Sequence, residues 1–253
     1  MSVNNSSKGK THISRRTILF SIPFLLTLLV FFVAFYGTIN NDENYTTDEA
    51  IVAPVLESAI YVKNEVELRN AINNAIGTSV VIAPIEDIHL TESSLSIPDA
   101  ANVTLSSDNK YGVCKIFGAS NNSTIIVEDG GILTLKAIVI THEKGTTDGA
   151  GIVIENGGTV NMYSSEISGN TFKNGGGVSN SGIFRLYSGK ISGNTAITNG
   201  GGLFNVGVFE MHGGEISNNI AKQGGGVFNR GFFNRMGGII EENDAEGRGR
   251  NCC

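Results

Sequence analysis

Between residues 123 and 247 one pattern is written five times, and three consecutive copies show it most clearly. They read GGGVSNSGIFRLYSGKISGNTA (175–196), GGGLFNVGVFEMHGGEISNNIA (200–221) and GGGVFNRGFFNRMGGIIEEN (224–243), displaced by 25 and then by about 24 residues. Repetition at this period specifies a solenoid, because a unit this short buries its apolar positions only by stacking on its neighbours.

The fine pattern inside a copy says what kind of solenoid. Each copy holds several glycines, asparagines and serines, which favour turns over helices. Between the turns, apolar and variable residues alternate, as in strands with one buried face. In Ile183-Phe184-Arg185-Leu186, Phe184 and Leu186 are expected inside and Ile183 and Arg185 outside.

Aligning the copies gives four apolar columns. The first is Val127, Ile154, Val178, Leu203 and Val227; the second is Leu133, Val160, Phe184, Phe209 and Phe233. The third is Leu135, Met162, Leu186 and Met211, and the fourth is Ile140, Ile167, Ile191, Ile216 and Ile240. Parallel strands about 4.8 Å apart would turn each column into a stack of like side chains. Two polar columns run beside them: Asn156, Asn180, Asn205 and Asn229, headed by Asp129, and Asn170, Asn194, Asn219 and Asn243. Both are expected to form amide ladders, and Gly158, Gly182, Gly207 and Gly231 are expected to supply special backbone angles at the corner.

The GGG-V-x-N-x-G-x-F element at 175–184 and the I-S-G-N-T-A element at 191–196, with their counterparts, carry a resemblance to a family. They resemble the right-handed parallel β-helix repeats of microbial surface proteins, similar in outline to pectate-lyase-like folds and polymorphic outer-membrane adhesins. The resemblance covers roughly residues 62–243. It implies an all-β right-handed parallel β-helix of about seven coils, and leaves function open, since such folds host lyases, hydrolases, adhesins and passive stalks alike.

Ahead of the repeats, residues 18–36 form an uncharged apolar run long enough to cross a membrane as a helix. Lys8, Lys10, Arg15 and Arg16 precede it, and Asp42, Glu43, Asp48 and Glu49 follow it. The positive-inside rule then leaves the amino terminus in the cytoplasm and the rest outside. The expected order is a basic cytoplasmic tail (1–16), a transmembrane signal-anchor (17–37), an acidic linker (38–58), the β-helix (59–247) and a short tail (248–253). The competing reading is a cleaved signal peptide and a secreted product. Within the solenoid part, a capping helix is expected at 65–76. Asn64 would be its N-cap with Glu67 in the capping-box position, Leu68, Ile72, Ala75 and Ile76 would share the buried face, and Gly77 would end it.

Two divergent coils, 80–98 and 101–119, complete the count of about seven. At the far end Arg235 stands where the third column holds Leu or Met. That coil reads either as a polar cap or as the point where a longer array continues. Cys114 reads as a buried apolar residue, while Cys252 and Cys253 have no assigned role.

A net charge of −6 argues against nucleic acid. Sugar-cleaving chemistry needs clustered carboxylates, yet Glu155, Glu166, Glu210 and Glu215 are spread along the repeats, so no catalytic residue is assigned. A cross-strand ion pair of Arg185 with Glu210 is expected. Neither a cofactor nor a metal site is assigned; His142, Glu143 and Asp148 make only a sparse corner. One exterior feature stands out. Phe204 and Phe228 should face outward on successive coils, with Ile183, Val208 and Phe232 on the adjoining sheet, giving an apolar stripe suited to a glycan or a partner surface. The function read from this is surface presentation, adhesion or carbohydrate and partner binding by a membrane-anchored β-helix. The alternative is a carbohydrate-active enzyme, a polysaccharide lyase or glycoside hydrolase.

Overall fold

A computed structural model describes residues 58–107, 110–143 and 149–246. The expected basic tail (1–16), the expected membrane span (17–37), nearly all of the expected linker and the tail 248–253 lie outside the described residues. So does Asp148.

The repeat copy beginning at Gly175 shows how one coil is built. Strand Val178–Asn180 turns through Ser181 and Gly182 into Ile183–Leu186, which bends into Gly189–Ser192 and then into Thr195–Asn199. Gly200, Gly201 and Gly202 return the chain to the next copy's first strand, Leu203–Asn205. Every named strand pairs in parallel with its counterpart one coil away: Val178 on Leu203, Phe184 on Phe209, Ile191 on Ile216, Thr195 on Ile220. Four sheets result among the described residues, of eight, six, seven and four strands. Together they make an all-β parallel solenoid of about seven coils carrying one short helix.

The alternation sets the core. Val178, Phe184, Leu186 and Ile191 are fully buried, and so are Leu203, Phe209, Met211 and Ile216 above them. The second, third and fourth columns stack as expected, with Val160 on Phe184, Met162 on Leu186 and Ile167 on Ile191.

The first column is different. Ile152, not Ile154, pairs with Val178, and Ile154 pairs with Asn180. The stack is therefore Ile125, Ile152, Val178, Leu203 and Val227, and the neighbouring one runs Val127, Ile154, Asn180, Asn205 and Asn229. The reason lies in the turn after the first strand. Between Ile152–Ile154 and Thr159–Tyr163 it holds Glu155, Asn156, Gly157 and Gly158, but between Val178–Asn180 and Ile183–Leu186 only Ser181 and Gly182. Matching Asn156 to Asn180 shifts the strand by two residues, which preserves the inward face and hides the error. Asn156 is an exposed turn residue outside the ladder.

The corner glycines are also explained differently. Gly158, Gly182, Gly207 and Gly231 are not among the residues with positive φ. A Cβ on Gly207 would instead collide with the Gly182 carbonyl one coil below, and one on Gly231 with that of Gly207. These positions are glycine because successive backbones pass too close for a side chain.

The helix spans Glu65–Asn73, shorter than the 65–76 expected. Asn64 caps it by accepting from the Glu67 backbone N–H at 2.9 Å, and the Glu67 carboxylate accepts from the Lys63 N–H at 3.0 Å. Leu68, Ala71 and Ile72 bury against the first coils. Asn74 closes the end with its N–H directed at the Asn70 and Ile72 carbonyls. Ile76 has left the helix: it bridges Ala101 and is 57% exposed. Arg69 fixes the helix to the coil, donating to Glu65 and to the Ser93 and Ser94 carbonyls.

At the last coil Phe233 and Ile240 are only partly buried, unlike Phe209 and Ile216 beneath them. Arg235 sits in register with Met211, and its guanidinium donates to the Gly238 carbonyl at 2.7 Å.

Candidate functional site

The two Asn columns are internal fixtures. Asn170, Asn194 and Asn219 are fully buried, and each amide nitrogen donates to the Oδ1 of the next: 2.8 Å to Asn194, 3.0 Å to Asn219, 2.9 Å to Asn243. The same oxygens accept backbone N–H groups, as Asn194 does from Asn170 at 3.1 Å. The second ladder runs from Asn180 to Asn205 at 2.7 Å and on to Asn229 at 2.6 Å. Apart from Asn229, which is exposed at the last coil, these hydrogen-bonded amides are buried and hold the corners in register.

His142 heads the longer ladder, a role the sequence reading missed. It is buried, with Nδ1 at 2.8 Å from Asn170 Oδ1 and Nε2 at 2.8 Å from the Asn122 carbonyl. A Cβ on Gly118 or Gly149 would strike the imidazole, so both glycines make room for it. Asn170 follows Ile167 by three residues, whereas the residue three after Ile140 is Glu143, so the alignment of copies did not point to His142.

The apolar stripe is brought together on the outside. Phe204 lies in register with Ser179 below and Phe228 above. The two rings stack with centroids 5.7 Å apart and planes 11° apart, and the Arg230 guanidinium lies 5.5 Å from the Phe228 ring centre. Around the corner Ile183, Val208 and Phe232 pair in sequence, and Phe232 is 57% exposed. Val206 lies in the intervening turn and is exposed too. Because the phenyl faces stack on each other, the stripe offers a ligand chiefly ring edges and the aliphatic side chains beside them.

A second exterior ladder was not foreseen. Tyr163, Tyr187 and His212 stack with centroids 4.5 Å apart at each step. Each directly follows a third-column residue, which the alignment already contained. Burial, then the adjoining Tyr187 phenol, pushes Tyr163 above its ordinary value. Beside it Arg185 Nε meets Glu210 Oε2 at 2.7 Å, the cross-strand pair expected from the sequence.

The seven-stranded sheet carries an alternating charged row. Glu166 pairs in register with Lys190, and Lys190 with Glu215, to which its Nζ lies at 2.9 Å. The hydrogen bond to Glu215 raises Lys190, while hydrogen bonds from Ser217 and then Lys190 lower Glu215. At the older end of this sheet lies a cleft of about 520 Å³ whose lining includes Lys115, Phe117, Thr141, Glu143, Glu166 and Ser168. The Phe117 ring stacks on His89 at 4.4 Å, and His89 Nδ1 meets Glu143 at 2.9 Å. Glu143 and Glu166 thus border one cleft, which their positions in the sequence did not suggest.

Among the described residues no group of three or more His, Cys, Asp or Glu converges as a metal site would. Cys114 is buried, its thiol raised by burial and by nearby Asp87 and directed at the Pro84 carbonyl at 3.2 Å. No helix of the described residues is long and apolar enough to cross a membrane. No family model, curated protein or solved structure matches the chain.

Proposed function

We propose that this protein is a membrane-anchored, externally displayed β-helix that presents a binding surface for adhesion or for a glycan or protein partner. The supporting observation is the stripe of Phe204, Phe228, Ile183, Val208 and Phe232, whose outward apolar side chains follow one another on successive coils at one corner, half-buried except for Phe232 at 57% exposure. Apolar patches with an adjacent guanidinium suit partner surfaces and sugar faces. The rigid register of the coils holds the patch in place without any ligand. In this reading the parallel crossovers are right-handed, as such connections nearly always are, and the likeness to surface-protein repeats is one of function as well as fold. The anchor is the apolar run 18–36.

The test is a glycan array and cell-surface attachment with the part from Ala59 onward, beside a Phe204→Ser/Phe228→Ser variant. Binding that the double variant loses supports the reading. Undiminished attachment by that variant sinks it.

A second reading, a carbohydrate-active enzyme, is favoured by the cleft that Glu143 and Glu166 share. It requires polysaccharide cleavage by the wild type that Glu143→Gln or Glu166→Gln removes.

A further inference from the structure

We infer that the helix-capped end of the solenoid rests against a lipid surface, with Tyr61, Lys110, Tyr111 and Val113 entering the headgroup zone; this rests on the reading that 17–37 is an uncleaved membrane span. The four residues come from two separate segments. Tyr61 belongs to strand Ile60–Val62, where it pairs with Ala83 at the edge of the eight-stranded sheet. Lys110, Tyr111 and Val113 belong to the segment leading into Lys115–Gly118.

The fold brings them together. Tyr61 and Tyr111 meet edge to face with ring centres 6.1 Å apart, and Lys110 Nζ lies 4.9 Å from the Tyr111 ring centre. They nevertheless keep much of their surface in solvent: Tyr61 is 54% exposed, Tyr111 43% and Val113 61%. Rings with a hydroxyl at one end, a valine and a lysine form the combination favoured at a membrane boundary. There the ring bodies replace water with acyl chain, the phenol stays hydrated, and the ammonium reaches headgroup phosphate along its aliphatic stem.

The chain itself names the occupant. Only 23 residues lie between Tyr36, the end of the apolar run, and Ile60. A random coil of 23 residues averages roughly 25–30 Å end to end and at full extension reaches roughly 80 Å, so an embedded run keeps a lipid surface within reach of this end of the solenoid.

The sequence contains no tryptophan, so one introduced indole reports its own surroundings. The full chain with Tyr111→Trp, and separately with Phe228→Trp at the opposite end, is reconstituted into phosphatidylcholine vesicles with and without brominated acyl chains. Tyr61→Trp serves as a second reporter, and circular dichroism checks that each variant is folded. The inference expects blue-shifted emission from Tyr111→Trp or Tyr61→Trp that brominated lipid quenches severalfold, with Phe228→Trp unquenched. Equal emission at both ends, in vesicles that retain the protein through alkaline carbonate, overturns lipid contact while leaving the anchor intact. Blue-shifted emission without quenching assigns the surface to a protein contact and likewise overturns it. Extraction of the protein by carbonate overturns the anchor itself.

Discussion

Phe184 and Phe209 stack inside the solenoid with ring centres 5.4 Å apart and planes 10° apart, both without solvent exposure, although 25 residues separate them in the chain. Phe233 continues the stack at 4.7 Å from Phe209. Phe209 is therefore packed on both faces, and replacing it empties a space that neighbouring coils cannot close without losing their strand pairing. Phe209→Ala is expected to destabilise the fold by about 3–5 kcal/mol. Phe204→Ala, outside the tube, should cost about 1 kcal/mol. Urea unfolding of the two variants measures the difference, and equal midpoints would contradict the assigned faces.

Asn194 and Asn156 should behave as differently as their surroundings. The Asn194 amide donates to the Ile167 and Ser192 carbonyls as well as to Asn219, and all of these lie in or beside buried backbone. Asn194→Ala leaves several of these groups unpaired and is expected to cost about 2–4 kcal/mol. Asn156→Ala should stay within about 0.5 kcal/mol. A large loss at residue 156 would restore the register read from the sequence and refute the one observed.

Two glycines separate crowding from backbone angle. At Gly207 a Cβ would collide with the Gly182 and Ser181 backbone, whereas Gly193, at φ 64°, has open space around it. Gly207→Ala forces two coils apart and is expected to cost about 3 kcal/mol. Gly193→Ala meets only the left-handed conformational penalty of about 1–2 kcal/mol. Thermal unfolding of both variants ranks them, and the reverse order would show that the corner is not set by close approach.

Glu65 gives the helix a pH dependence. Burial raises its carboxyl, but the hydrogen bonds from Arg69 and Thr91 outweigh this and leave it below the ordinary value of 4.5. A carboxyl lowered by folding stabilises the fold above its unfolded value, and the contribution disappears as pH falls through the lowered folded value. Glu65→Gln is expected to melt roughly 2–4 °C below wild type at pH 7, with the gap closing as pH drops below 4.5. A gap that persists undiminished at pH 2.5 would show that the side chain acts by packing rather than by charge.

Three of the four apolar columns were legible because the copies keep constant spacing from the second strand to the third. Phe184, Phe209 and Phe233 align, and so do Ile191, Ile216 and Ile240. The first column failed where the turn length changes, since a two-residue shift leaves the inside and outside of a strand unchanged. The outward stripe was legible for the same reason as the core. The cleft of Lys115, Phe117, Glu143 and Glu166 was not, because Lys115 and Phe117 come from a divergent coil whose register against the copies carrying Glu143 and Glu166 is set only in the structure.

The residue pattern alone specified the solenoid, its parallel stacking and the direction of most side chains, since periodic apolar residues can be buried only against their own copies. It also determined that an apolar run precedes an acidic stretch. The tertiary structure decided which asparagine joins which ladder, that His142 completes one of them, that corner glycines answer crowding, and that Tyr61 meets Tyr111. These depend on distances between coils, and such distances follow from turn lengths and close backbone contact rather than from the alternation of residue types.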